Sequence, residues 1–205
     1  MTVTPQPSLL SLLDGSSKDT LSWITCAARD TIPGVDFASI SVAHSDGQLE
    51  TLGATDPLAT KADALQYELV EGPCVDAAIR TPSSPSDDVG ADGRWPRYAR
   101  RAGELGIKAQ AAFALRSGNR TIGSLNLYST SPIRLDDVAL DLARRFADRA
   151  AAAVELTRTV DSLSDALATR KTIGQAVGSV MGRFTLTDKR PRLEASPVCK
   201  RSVTA

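Results

Sequence analysis

Residues 107–129, IKAQAAFALRSGNRTIGSLNLYS, decide how this chain folds. Two extended runs, 107–115 and 120–129, flank a Ser-Gly-Asn turn, and the Gly118-Asn119 pair suits a tight reversal with positive φ. In the second run Leu125 and Leu127 alternate with Asn126 and Tyr128. Side chains on a strand alternate between faces, so one pair meets a helix and the other meets a pocket or solvent.

A second hairpin is read upstream. FASISVA (37–43) alternates with period two, Ser45-Asp46-Gly47 turns, and QLETLGA (48–54) returns. Ahead of it, Leu21, Ile24, Thr25 and Ala28 recur at helical spacing until Pro33-Gly34. After it, Thr55-Asp56-Pro57 starts a short helix, with Asp or Thr as cap, expected to carry Leu58, Ala62, Leu65 and Leu69 inward. Residues 71–97 read as loop: their second half, TPSSPSDDVGADGRWP, is too polar to build core. A short helix then runs from Arg97 to Leu105 and ends at Gly106.

Downstream, Asp136-Asp137 opens the longest element, acidic at the positive end of its dipole. It has no proline before Pro191 and is expected to reach about Met181, roughly 46 residues and ~70 Å. Leu156, Val160, Leu163 and Leu167 lie on an apolar seam spaced by four and three. Residues 156–167 have nothing in their own domain to bury against, which favours a coiled-coil homodimer over a helix packed along a single domain. The order of elements suggests α+β: an antiparallel sheet flanked by helices, with small ligands held against one face.

Composition removes several function classes. Twenty-four basic residues balance 24 acidic ones, and aromatics are only 4% of 205 residues, which argues against a basic coat or a base-stacking platform. No apolar run approaches the ~20 residues of a membrane span, and MTVTPQPSLL shows neither the charged n-region nor the long apolar run expected of a secretory signal. Three separated cysteines fit no disulfide framework, so a cytoplasmic location is expected. The lone histidine, His44, reads as a turn residue; multi-histidine metal sites are excluded, no metal or cofactor is expected, and GxxxxGK[ST] and GxGxxG are absent.

EGPCVDA (71–77), RWPRYARRAGELGIKAQAAFAL (94–115) and RTIGSLNLYSTSP (120–132) resemble the GAF domain of bacterial GAF–ANTAR regulators. SLSDALATRKTIGQAVGSVMGRFTLT (162–187) resembles the start of an ANTAR domain, a three-helix module that binds paired RNA hairpins in transcription antitermination. After Lys189 the pattern departs. KRPRLEASPVCKRSVTA holds Pro191 and Pro197 and is too short for two packed helices, so this end is read as incomplete. The resulting division is a flexible segment 1–16, a GAF-like sensor 17–155, a coiled coil with the first ANTAR-like helix 156–190, and a divergent tail 191–205. From residue 161 onward eight basic residues face four acidic ones, leaving 1–160 net acidic.

The resemblance implies a non-enzymatic signalling regulator that senses a small molecule or protein partner and passes the signal through a dimer to RNA. Arg170, Lys171, Arg183 and Lys189 are the candidate RNA contacts. Cys74, Trp95, Tyr98, Asn126 and Tyr128 are the candidate ligand-pocket residues. Cys74 reads first as a small buried thiol and Gly72-Pro73 as a trio-mate chosen for backbone shape. Trp95 either roofs the pocket or anchors a loop. Two alternatives stand beside this reading: a dimeric GAF binding module whose ANTAR end is too short for specific RNA, and a cysteine-dependent methionine sulfoxide reductase.

Overall fold

The computed structural model describes residues 17–44 and 46–184, with side chains described between 19 and 160. In chain order the elements are α1 (Ser17–Thr31), β1 (Phe37–Ala43), β2 (Leu49–Leu52), α2 (Pro57–Leu69), α3 (Pro73–Ile79), β3 (Ser83–Ser86), α4 (Pro96–Glu104), β4 (Ala109–Ser117), β5 (Arg120–Ser129) and α5 (Asp137–Phe184). One compact unit ends at Val160 and a second begins at Asp161. In the second, the backbone is helical to Phe184.

The first unit is built on a five-stranded antiparallel sheet in the order β2-β1-β5-β4-β3. Period-two alternation gives its two faces different chemistry. Across β1 and β5, Ile40 pairs with Leu125 and Ala38 with Leu127; across β4 and β5, Phe113 pairs with Leu125 and Ala111 with Leu127. These residues form an apolar face, covered by Leu21, Ile24, Ala28 and Ile32 from α1 and its following turn and by Ala143, Phe146, Ala147, Ala150 and Val154 of α5. The opposite face pairs Ser39 with Asn126, Ser41 with Ser124 and Gln110 with Tyr128. A smaller cluster covers it, including Ala59, Ala62, Trp95, Tyr98, Ala102 and Ile107.

Both expected hairpins form. In the β4–β5 turn Gly118 alone takes positive φ, 55°, while Asn119 does not. Asp56 caps α2, its carboxylate accepting from Leu58 N at 2.7 Å, and Pro57 occupies the first turn. Asp136 caps α5 in the same way through Ala139 N at 2.8 Å.

Two expectations are corrected. Residues 71–97 are not all loop: α3 and β3 lie within them, and Ser84, Ser86 and Val89 are buried. Pro73 at the start of α3 is compatible with helix, and short polar serines pair readily along an edge strand. The inward face of α2 is Ala59, Ala62, Asp63 and Gln66, whereas Leu58, Leu65 and Leu69 are only partly buried. The long final helix forms as expected, α5 ending at Phe184, three residues past Met181. Cys26 is half-buried on α1. Within the described part of the expected seam, Leu156 is 55% and Val160 53% exposed. Leu163 and Leu167 fall on helical backbone whose side chains lie outside the description, as does the tail bearing Cys199. Among the described residues no helix is long and apolar enough to cross a membrane.

Candidate functional site

The polar face of the sheet and the inward face of α2 meet in one hydrogen-bonded network. Ala59 and Ala62 lack bulk, so α2 lies close enough for Asp63 and Gln66 to reach the strands. Asp63 is fully buried. Its Oδ1 accepts from Asn126 Nδ2 at 3.0 Å and from the Tyr128 hydroxyl, and its Oδ2 accepts from Thr51 Oγ1 at 3.0 Å. All these donors are neutral. Burial, opposed by hydrogen bonds from Tyr128, Ser39, Thr51 and Asn126, raises the Asp63 carboxyl to about 6.

Gln66 joins the two ends of the network. Its Nε2 donates to Tyr128 Oη at 3.2 Å, and its Oε1 accepts from Gln110 Nε2 at 3.2 Å and from the Cys74 backbone N–H at 2.9 Å. Gln110 Oε1 in turn accepts from the Tyr98 hydroxyl at 2.5 Å. On the other side, Cys74 Sγ lies 3.2 Å from Ser41 Oγ and 3.3 Å from Ser124 Oγ, and Ser124 donates to Asn126 Oδ1 at 3.0 Å. Tyr67 closes the rim through Ser41 and Thr51. Among the described residues every buried side-chain nitrogen and oxygen has a partner.

The EGPC segment supplies one edge of this site by backbone shape. Gly72 precedes α3 with φ 132°, and a Cβ there would stand 2.5 Å from Gln66 Oε1. Only glycine allows the approach that brings the Cys74 N–H to Gln66. Burial, with the Asp63 charge behind it, pushes the Cys74 thiol up to about 12. Nucleophilic cysteines need the opposite shift. Just before Gly72, Val70 caps α2 in the left-handed region (φ 52°, ψ 39°), an unusual conformation for a β-branched residue.

The structure places Cys74, Tyr98, Asn126 and Tyr128 in this single network and sets Trp95 beside it. Trp95 is buried before α4; its indole N–H donates to Asp76 Oδ2 at 2.9 Å while Arg94 stacks 4.1 Å from the ring centre. Asp76 is also held by Arg80 at 2.6 Å, so Trp95 ties α4 to α3. Asp63, Gln66, Gln110, Ser39, Ser41 and Ser124 escaped the sequence reading. The signal for the helix residues was present: 59, 62, 63 and 66 share one helical face, and two of them are polar.

Of the other candidates, Arg170, Lys171 and Arg183 lie on helical backbone with side chains outside the description, and Lys189 lies outside the described residues. His44 is exposed at the end of β1, 2.9 Å from Glu50. An open cleft of ≈ 740 Å³ lies elsewhere, lined in part by Asp87, Asp88, Asp92, Arg94 and Asp136. Within it Arg94 binds Asp92 at 2.6 Å and holds that carboxyl down to about 2. No group of side chains that could hold a metal ion occurs among the described residues.

Comparison with known proteins places the fold. A family model described as GAF domain matches residues 15–155. Among solved structures, a domain assigned to a two-component sensor histidine kinase protein of Sinorhizobium meliloti superposes with TM-score 0.60 at 17% identity, covering 73% of this chain and 98% of that one. A GAF domain of Synechocystis in its photoproduct state gives 0.59 at 15%, covering 72% and 99%. The type II free methionine-R-sulfoxide reductase of Thermoplasma acidophilum gives 0.56 at 16%, covering 68% and 92%. At such identities the likeness is one of fold. No curated protein sequence matches the chain significantly.

Proposed function

The chain belongs to the GAF domain family, and from that premise we propose that it is the sensing unit of a cytoplasmic, non-enzymatic signalling regulator whose ligand binds the polar sheet face around Asp63. GAF domains are signalling and ligand-sensing modules. The observation that carries the reading is the fully buried Asp63 carboxylate held only by neutral donors. A buried charge without a cation is costly, and an apolar residue of similar size would stabilise the fold more. Perturbed carboxyls of this kind concentrate at functional sites. The ligand that suits Asp63 brings N–H donors or positive charge, taking over the bonds now supplied by Asn126 and Tyr128.

The finer reading is that the domain acts through a homodimer, with Leu156, Val160, Leu163 and Leu167 as the seam, on RNA contacted by Arg170, Lys171, Arg183 and Lys189 in antitermination. Its support is the IGQAVGSVM motif at 173–181, the basic excess after residue 161 and the exposure of Leu156 and Val160. On this reading the boundaries remain 17–155 for the sensor and 156–190 for the output helix. If the RNA end is too short, a dimeric binding module acting on protein partners is left. The buried Cys74 thiol, raised to about 12, speaks against a cysteine-dependent reductase.

A thermal-shift screen of the full chain and of Asp63→Asn, with a panel of amines, guanidines and N–H-rich heterocycles, tests the site. A compound that raises Tm of the parent and leaves the variant unmoved is the expected result. A panel that shifts both proteins equally, or neither, removes the Asp63 face as the ligand site.

A further inference from the structure

We propose that the Val70–Gly72 segment between α2 and α3 is a strap that opens locally over the Asp63 network, uncovering Cys74 and the sheet face while the rest of the sheet stays folded. The inference rests on that face being the ligand site and adds how a ligand reaches it. The network needs such a route, because Asp63, Gln66, Cys74, Asn126 and Tyr128 are all buried and bonded to one another.

Three independent features of the strap point the same way. Val70 is 62% exposed and holds a left-handed φ of 52°, so leaving this conformation relieves strain and costs little burial of the Val70 side chain itself. The strap is fastened from outside. Arg97 on α4 donates from Nε to Glu71 at 2.8 Å, from its backbone N to Glu71 at 3.2 Å and from Nη2 to the Leu69 carbonyl at 2.8 Å; Arg101 adds a bridge to Glu68 at 2.8 Å. The Arg97 guanidinium is 67% exposed, so salt screens these bonds from that side, while the Glu71 carboxylate beneath it is only 12% exposed. Finally, the strap's inner end is seated on the network: Gly72 lies against Gln66, and Gln66 holds the Cys74 N–H. Moving Gly72 breaks that bond first.

Cys74 is a built-in reporter of the motion. The intact protein is treated with iodoacetamide at mildly alkaline pH, and peptide mass spectrometry follows Cys74 separately from Cys26 and Cys199. The expected Cys74 rate is far below that of a free thiol and flat across low urea, the mark of local opening. Arg97→Ala speeds it about threefold, and added NaCl speeds the parent but not that variant. Val70→Gly slows it about fivefold, because glycine takes the left-handed conformation without strain. Ile24→Val, in the aliphatic core on the other side of the sheet, lowers the urea midpoint and leaves the low-urea rate unchanged. The strap is overturned if Cys74 modification follows global unfolding at every urea concentration, if Ile24→Val and Arg97→Ala accelerate it alike, or if Val70→Gly speeds it. Those outcomes leave the Asp63-dependent thermal shift free to succeed or fail separately, so loss of the strap and loss of the ligand site are told apart.

Discussion

Asp63 has a folded-state pKa above that of an exposed carboxyl, about 6 against 3.8, so the native state holds a proton that the unfolded chain gives up. Between about pH 4 and pH 6 the native state therefore binds more protons, and its stability falls as pH rises through that window. Full displacement is worth about 3 kcal/mol. Asp63→Asn removes this slope while leaving that of the Arg94-paired Asp92 carboxyl, which works in the opposite direction. Urea midpoints of parent and variant from pH 4 to pH 7 measure the difference; parallel curves would contradict a titrating Asp63. Gly123 is the other decisive single residue. A Cβ there would stand 2.0 Å from the Ser41 carbonyl oxygen, so β5 could not keep its register with β1. Gly123→Ala is expected to lower stability by about 3 kcal/mol or more, read as a loss of urea midpoint.

The elements differ in how far local pattern reveals them. β1, β4 and β5 were legible because period-two alternation is a local property and their turns carry turn residues. α2 was legible as a helix but not in its rotation. Its leucines suggested one face, yet Ala59, Ala62, Asp63 and Gln66 point inward. The face opposite is polar, and small residues let the backbone approach it, so hydrogen bonding to Asn126 and Tyr128 outweighs burial of Leu58 and Leu65. α3 was missed because its seven residues span two turns, too few for periodicity to show. It is held from outside by the Trp95 indole on Asp76. Trp95→Phe removes that bond and also one ring of a buried indole, leaving a small cavity. The expected loss is about 2 kcal/mol or more, measured by urea titration, and an unchanged midpoint would contradict a structural role for Trp95.

For the whole molecule, the proposed dimer and RNA end make two checks. Leu163→Lys places a charge on the seam, and the parent is expected to sediment as a dimer and the variant as a monomer. A variant that remains fully dimeric would end the coiled-coil proposal. In fluorescence anisotropy, a two-hairpin RNA is expected to bind more tightly than a single-hairpin control. Binding indifferent to RNA shape and abolished by salt would reduce the end to a basic tail. By itself the amino-acid order determined the α+β class, the two hairpins and the long final helix, because turn chemistry and the periods of 2 and 3.6 act over a few residues. It also placed Asn126 and Tyr128 on one face and Leu125 and Leu127 on the other. What lies opposite them was decided only by tertiary structure. Asp63 is 65 residues from Tyr128 in the chain, and their bond depends on how closely and at what rotation α2 settles on the sheet. No local pattern encodes that contact, because it arises from packing two surfaces whose polar groups must satisfy each other once water is excluded.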